Sequence, residues 1–134
     1  MGLVTTAEIG RVVKHFVANN ESYEILDANG GGTWSAGGCY LLAFALHKKF
    51  KLPLYALFGS NRPNGMICNQ HVVVKSGQFF IDADGTQAKQ SLLRRWSKEE
   101  GFSGIIVPYD PAGDCDPVIC SRRNIARVIK MLGA

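Results

Sequence analysis

The 134-residue chain contains no run approaching the roughly twenty consecutive apolar residues needed to cross a bilayer. Its first residues, MGLVTTAEIGRVV, lack the basic stretch leading into an apolar segment that marks an exported precursor. These two absences argue against a membrane protein and point to a soluble, cytoplasmic one. Charge is also sparse, at 19% of residues. The net charge is +4 and the pI near 9.0, but Lys and Arg are scattered, with short clusters only around His47–Lys51, Arg94–Arg95 and Arg122–Arg123. This pattern describes a solvated basic surface and argues against a nucleic-acid footprint.

Cysteine is limited to four residues, at 39, 68, 115 and 120. Two disulfides could be drawn among them. A chain of this length with 46% hydrophobic residues can bury one sizeable core without such staples, so free thiols are expected. Internal repeats are absent, and the only low-complexity stretch is a glycine-rich loop. The expectation is one domain spanning residues 1–134.

Thr5-Thr6-Ala7-Glu8 has capping-box spacing, and Ile9, Val12, Val13, Phe16 and Val17 recur at helical intervals, which predicts an amphipathic helix over about 6–18. Residues 21–38 read as a long loop, because Asn29–Gly38 holds five glycines. From Cys39 to about Phe50 the run CYLLAFALHKKF is apolar for two turns and then basic, a buried helix with dipole-compensating lysines at its end, closed by Pro53. Leu54–Phe58 reads as a strand ended by the turn-rich stretch 60–65. Ser91 to about Glu99 reads as a short helix with Leu92, Leu93 and Trp96 inward, Gly104–Val107 as a strand, and Ser121 as the cap of a last helix.

His71–Val74 and Phe79–Asp82 are β-favouring runs joined by Lys75-Ser-Gly-Gln78, a tight antiparallel hairpin. With Ser76-Gly77 as the turn, Val74 faces Phe79, Val73 faces Phe80, Val72 faces Ile81, and His71 lies across from Asp82. Opposite side chains share a face, about 5 Å apart at Cβ, so the carboxylate can hold one imidazole nitrogen while the other accepts a proton. A thiol completes the set. Cys39 follows Gly37-Gly38 at a helix N-terminus, where unsatisfied amides and aligned peptide dipoles favour a thiolate, and its own amide would point toward a forming oxyanion. Cys39 is thus the candidate nucleophile, His71 its base and Asp82 the residue that orients the base. Asp84 shares the parity of Asp82 and is the alternative third member, although Asp84-Gly85 is also a common turn dipeptide. His47 is about 12 Å along the helix from Cys39 by helical rise, and His15 lies off the apolar stripe; both read as surface residues. Cys68-x2-His71 with Cys115-x4-Cys120 could supply four zinc ligands, but neither half has a standard spacing, so no metal and no cofactor is assigned.

A cysteine on a glycine-led helix, then a histidine at a strand start, then an aspartate on the next strand resembles the papain-like superfamily in its broad sense. The transglutaminase-like branch, which includes arylamine N-acetyltransferases, and the NlpC-type peptidases come nearest. The matching pieces are Gly37-Gly-Cys39 with Leu41-Leu42, Gln70-His71-Val-Val-Val, and Phe80-Ile-Asp82-Ala-Asp-Gly85. The resemblance implies an α+β core, a nucleophile-bearing helix packed on a small antiparallel sheet, and acyl transfer through a thioester on Cys39. It also implies a side-chain oxyanion donor, which papain-like enzymes take from a Gln shortly before the nucleophile. Here the corresponding stretch is Thr33-Trp34-Ser35, leaving Trp34, Gln70 and the backbone at Gly38 as oxyanion or substrate-binding candidates. The function expected is that of a thiol hydrolase or acyltransferase on a peptide, isopeptide or side-chain amide. The alternative is an inactive protein of this fold that binds or inhibits a macromolecular partner.

Overall fold

The computed structural model describes residues 4–29, 32–34, 38–59, 69–100, 104–109 and 121–133, without the side chains of 58, 59, 69, 70, 99, 100 and 104. Cys68, Cys115, Cys120, the stretch 60–65 and Gly37 lie outside the described residues. Among the described residues five helices and five strands follow in the order α1 (Thr6–Ala18), α2 (Ser22–Ala28), α3 (Cys39–Phe50), β1 (Leu54–Gly59), β2 (Asn69–Ser76), β3 (Phe79–Asp82), β4 (Gly85–Ala88), α4 (Lys89–Glu100), β5 (Gly104–Pro108) and α5 (Arg122–Met131). The fold class is α+β. The strands form one antiparallel sheet in the order β4-β3-β2-β1-β5.

The sheet is covered on both faces. On one, Leu54 and Ala56 of β1, Val72 and Val74 of β2, and Ile81 of β3 join Ile9, Val13 and Phe16 of α1, Ile25 and Leu26 of α2, Leu41–Leu46 of α3 and Val128 of α5. On the other, Leu57, Val73 and Phe80 pack against Leu92 and Trp96 of α4. This double covering explains why β1 and β2, the central strands, read as nearly continuous apolar runs.

Local signals set several boundaries. The Thr5 hydroxyl accepts the Glu8 amide at 3.1 Å and starts α1, and the Ser121 hydroxyl accepts the Asn124 amide at 3.1 Å and starts α5. Lys51, in the left-handed conformation at φ 58°, ends α3 before Pro53 is reached, and His47 Nδ1 donates to the Leu52 carbonyl at 2.7 Å.

Two elements depart from the sequence expectation. The loop assigned to 21–38 contains α2, whose Ile25 and Leu26 are buried; seven residues with no side-chain cap carry too little periodicity to show. β4 is an edge strand of sequence GTQA in a stretch where the sequence signals only the Asp84-Gly85 turn, with the polar, half-exposed character that edges use.

The hairpin is real, but its turn lies one residue further along. Gly77, at φ +61°, takes the first central position, where a type II′ turn needs positive φ, and Gln78 the second. Ser76 therefore pairs with Phe79, Lys75 with Phe80 and Val74 with Ile81. This corrects the predicted pairing of His71 with Asp82: in the observed register Asp82 falls opposite Val73, diagonal to His71. Every pair is displaced by two residues, and a displacement of two leaves each side chain on its face.

Candidate active site

His71 stands on β2 next to Val72 and Val73, paired with Leu57 of β1, and is 8% exposed. Asp82 is the last residue of β3 and 4% exposed. The diagonal separation is within reach of long side chains, and His71 Nε2 donates to Asp82 Oδ2 at 3.0 Å. Both residues share the face of Val73 and Phe80, the one that α4 covers.

Asp82 has four donors. Its Oδ2 accepts from His71 Nε2 and from Arg95 Nη2 at 2.8 Å; its Oδ1 accepts from the Asp84 amide at 2.9 Å and from Gln87 Nε2 at 2.7 Å. A carboxylate offers about four lone-pair sites, so this set suits the ionised form. Burial by itself would raise the Asp82 pKa, but hydrogen bonding and charge from His71, the charge of Arg95 and the Asp84 amide outweigh it and hold the carboxyl below its usual 3.8.

Burial likewise acts to lower the His71 pKa. The hydrogen bond to Asp82, a hydrogen bond and charge from Cys39, and the charge of Asp82 overcome it, and the imidazole is raised to about 9. His71 is therefore an imidazolium at neutral pH, with Asp82 and Cys39 as the two groups acting on its ring. Nε2 is taken by Asp82, which leaves Nδ1 for the thiol.

Cys39 is the first residue of α3 and 5% exposed. The helix covers the sheet face opposite to that of His71. Cys39 nonetheless acts on the His71 imidazole through a hydrogen bond and its charge.

The oxyanion candidates fare differently. Trp34 is buried, donates its indole N–H to Ser22 Oγ at 3.0 Å and packs against Phe16 and Tyr23, so its donor serves the core. The Gly38 amide donates to the Thr33 carbonyl at 2.9 Å. A Cβ at Gly38 would meet Thr33 O at 2.8 Å, Leu26 Cδ2 at 2.9 Å and Trp34 Cε3 at 3.1 Å; the glycine lets the chain pass close to its own loop. Gln70 lies in β2 next to His71, and its side chain falls outside the described residues. The backbone amide of Cys39, at the first position of α3, has no partner within the helix and is the donor nearest the sulfur along the chain.

Asp84 occupies the β3–β4 turn, is half-exposed and ion-pairs with Arg95 Nη1. It contacts Asp82 through its backbone and has the turn role that Asp84-Gly85 suggested. Gln87 and Arg95 complete the site and were missed from the sequence. Arg95 carried a signal: it stands three residues after inward-facing Leu92 and just before Trp96, where a charge on a packed helix needs a partner. Among the described residues no group of three or more His, Cys, Asp or Glu could hold a metal ion, and the zinc alternative rests on cysteines outside them. No helix among the described residues is long and apolar enough to cross a membrane. No protein-family model, curated protein or solved structure matches the chain.

Proposed function

We propose that the protein is a thiol hydrolase or acyltransferase of the papain- or transglutaminase-like kind, acting on an amide of a peptide or protein through a thioester on Cys39. The observation that carries this reading is the buried 3.0 Å bond from His71 Nε2 to Asp82 Oδ2, on an imidazole whose other neighbour is the Cys39 thiol. A buried histidine raised to about 9 by a carboxylate and a thiol is the pairing that thiol acyl transfer uses.

The chemistry follows from the proton inventory. The Cys39 sulfur, as thiolate, attacks the amide carbonyl, and the Cys39 amide at the start of α3 faces the oxygen that becomes negative. As the C–N bond breaks, His71 Nδ1 gives its proton to the departing amine, leaving a thioester and a neutral imidazole. Water or an amine then attacks the thioester, His71 takes that nucleophile's proton, and the sulfur leaves as thiolate beside the restored imidazolium. Asp82 stays ionised throughout and keeps Nε2 protonated.

Treatment with an activated acyl ester, followed by peptide mass spectrometry, tests the reading. An acyl group is expected on the Cys39 peptide in wild type and lost in His71→Ala. Iodoacetamide should label Cys39 faster than Cys68, Cys115 or Cys120 near neutral pH, with the Cys39 rate falling about a hundredfold in His71→Ala. Slow, equal labelling of all four thiols in both proteins would overturn the proposal and leave the non-catalytic binding protein in its place.

A further inference from the structure

Asp82 can orient His71 only if its own carboxylate is oriented, and the groups that do so come from outside β3. Three donors of Arg95 reach three acceptors: Nη2 reaches Asp82 Oδ2 at 2.8 Å, Nε reaches Gln87 Oε1 at 3.0 Å, and Nη1 reaches Asp84 Oδ2. The second contact sets a fourth. Because Nε can only donate, it draws the oxygen of the Gln87 amide toward itself and turns Gln87 Nε2 toward Asp82 Oδ1, which it reaches at 2.7 Å. Arg95, Gln87 and Asp82 thus close a ring in which each carboxylate oxygen receives one donor that Arg95 supplies or directs.

We propose that Arg95 is the positioning residue of this site: from α4 it holds the Asp82 carboxylate in the orientation that receives His71 Nε2–H. The inference rests on the thiol–imidazole reading for its catalytic meaning, but its geometry stands on the hydrogen bonds alone. Lysine cannot replace it, since a single ammonium lacks the planar fork that serves Asp82, Asp84 and Gln87 together. The other strand-borne donors do not suffice. The Asp84 amide binds Oδ1 only, and Gln87 has its productive amide orientation because of Arg95. Arg95 also ties the site to the α4 face, where Leu92 and Trp96 anchor the helix on the sheet.

The test reads the imidazole directly. In the full-length wild-type chain, proton NMR should show a downfield His71 Nε2–H resonance protected from exchange with water, assigned by its absence in His71→Gln. In Arg95→Gln and in the milder Arg95→Lys the resonance should broaden into solvent exchange and Cys39 alkylation should slow about tenfold. Arg94→Gln, an exposed neighbour on the same helix, should keep both wild-type signals. Persistence of the resonance in Arg95→Lys at its wild-type position, even in a protein with a lower melting temperature, would make Arg95 a strut between α4 and the sheet and overturn the proposal. So would absence of the resonance in the wild type. Failure of the thiol reading has a different signature: Cys39 alkylation indifferent to His71→Ala, while the resonance still reports on Arg95.

Discussion

Asp82 and His71 are bonded diagonally across the β2–β3 hairpin, Nε2 to Oδ2 at 3.0 Å, with the turn at Gly77-Gln78 placing Val73 and not His71 opposite the aspartate. Asp82 Oδ2 also accepts Arg95 Nη2, at 2.8 Å. The carboxylate therefore sits between two cations, with its charge held by groups from β2 and α4.

Asp82→Asn and Asp84→Asn should separate the two aspartates. The first keeps the side chain's shape and removes its charge. Burial then acts on His71 with less to oppose it, so the imidazole pKa should fall well below about 9, and Cys39 alkylation should drop about a hundredfold. Asp84→Asn alters a half-exposed turn residue whose amide, not its carboxylate, reaches Asp82, and alkylation should change by about threefold or less. NMR titration of the His71 ring, with alkylation rates measured alongside, checks both. Equal effects from the two variants would reassign the third member of the site.

Stability should depend on pH through the same residues. The folded His71 pKa of about 9 lies above its unfolded 6.5, so its contribution is full below 6.5 and is lost as pH rises through about 9. Asp82 is lowered from 3.8, so its contribution is present above that value and is lost as pH falls through the lower folded pKa. The wild type should exceed His71→Gln in stability by about 3 kcal/mol at most up to pH 6.5, with the gap closing as pH rises from there to about 9. Denaturant titrations across the range measure it. A gap that widens toward high pH would contradict the assigned sign.

Gly38→Ala should strain the entry to α3. The added methyl meets a carbonyl and two buried side chains within about 3 Å, and a loss of about 1–3 kcal/mol is expected, with slower Cys39 alkylation because the displaced residue is its neighbour. Gly77→Ala offers the contrast. Its methyl meets nothing, so the cost is the left-handed backbone alone, about 1 kcal/mol, with the site unaffected. Thermal melts paired with alkylation rates distinguish the two; a site disturbed equally by both would show that the turn, too, sets Cys39.

Trp34→Phe should act as a core substitution. It removes the N–H that Ser22 Oγ accepts and shrinks a ring packed on Phe16 and Tyr23, for a loss of about 2–4 kcal/mol. The acylation rate of Cys39 by an activated ester should hold within about threefold, because the indole donor faces Ser22. A large fall in acylation with stability intact would restore Trp34 as an oxyanion donor.

Residue order by itself determined the local elements and the chemical cast. The capping box at Thr5 and the helical spacing from Ile9 to Val17 placed α1, the apolar run after Gly38 placed α3 with Cys39 at its head, and Ser121 marked the start of α5. Alternation in β2 and β3 put His71 and Asp82 on one face, and the period of two preserved that result through a register displaced by two residues. Such features depend on neighbours within a few residues, where spacing carries the information. Only the tertiary structure decided the register itself, because Gly77 rather than Ser76 takes the positive-φ position of the turn. It alone set Trp34 on Ser22, folded Gly38 against Thr33, and carried Arg95 from α4 to Asp82. Those contacts join chain segments through the packing of helices on the two sheet faces, and which partner a donor meets there depends on how the layers dock, a property that no local spacing encodes.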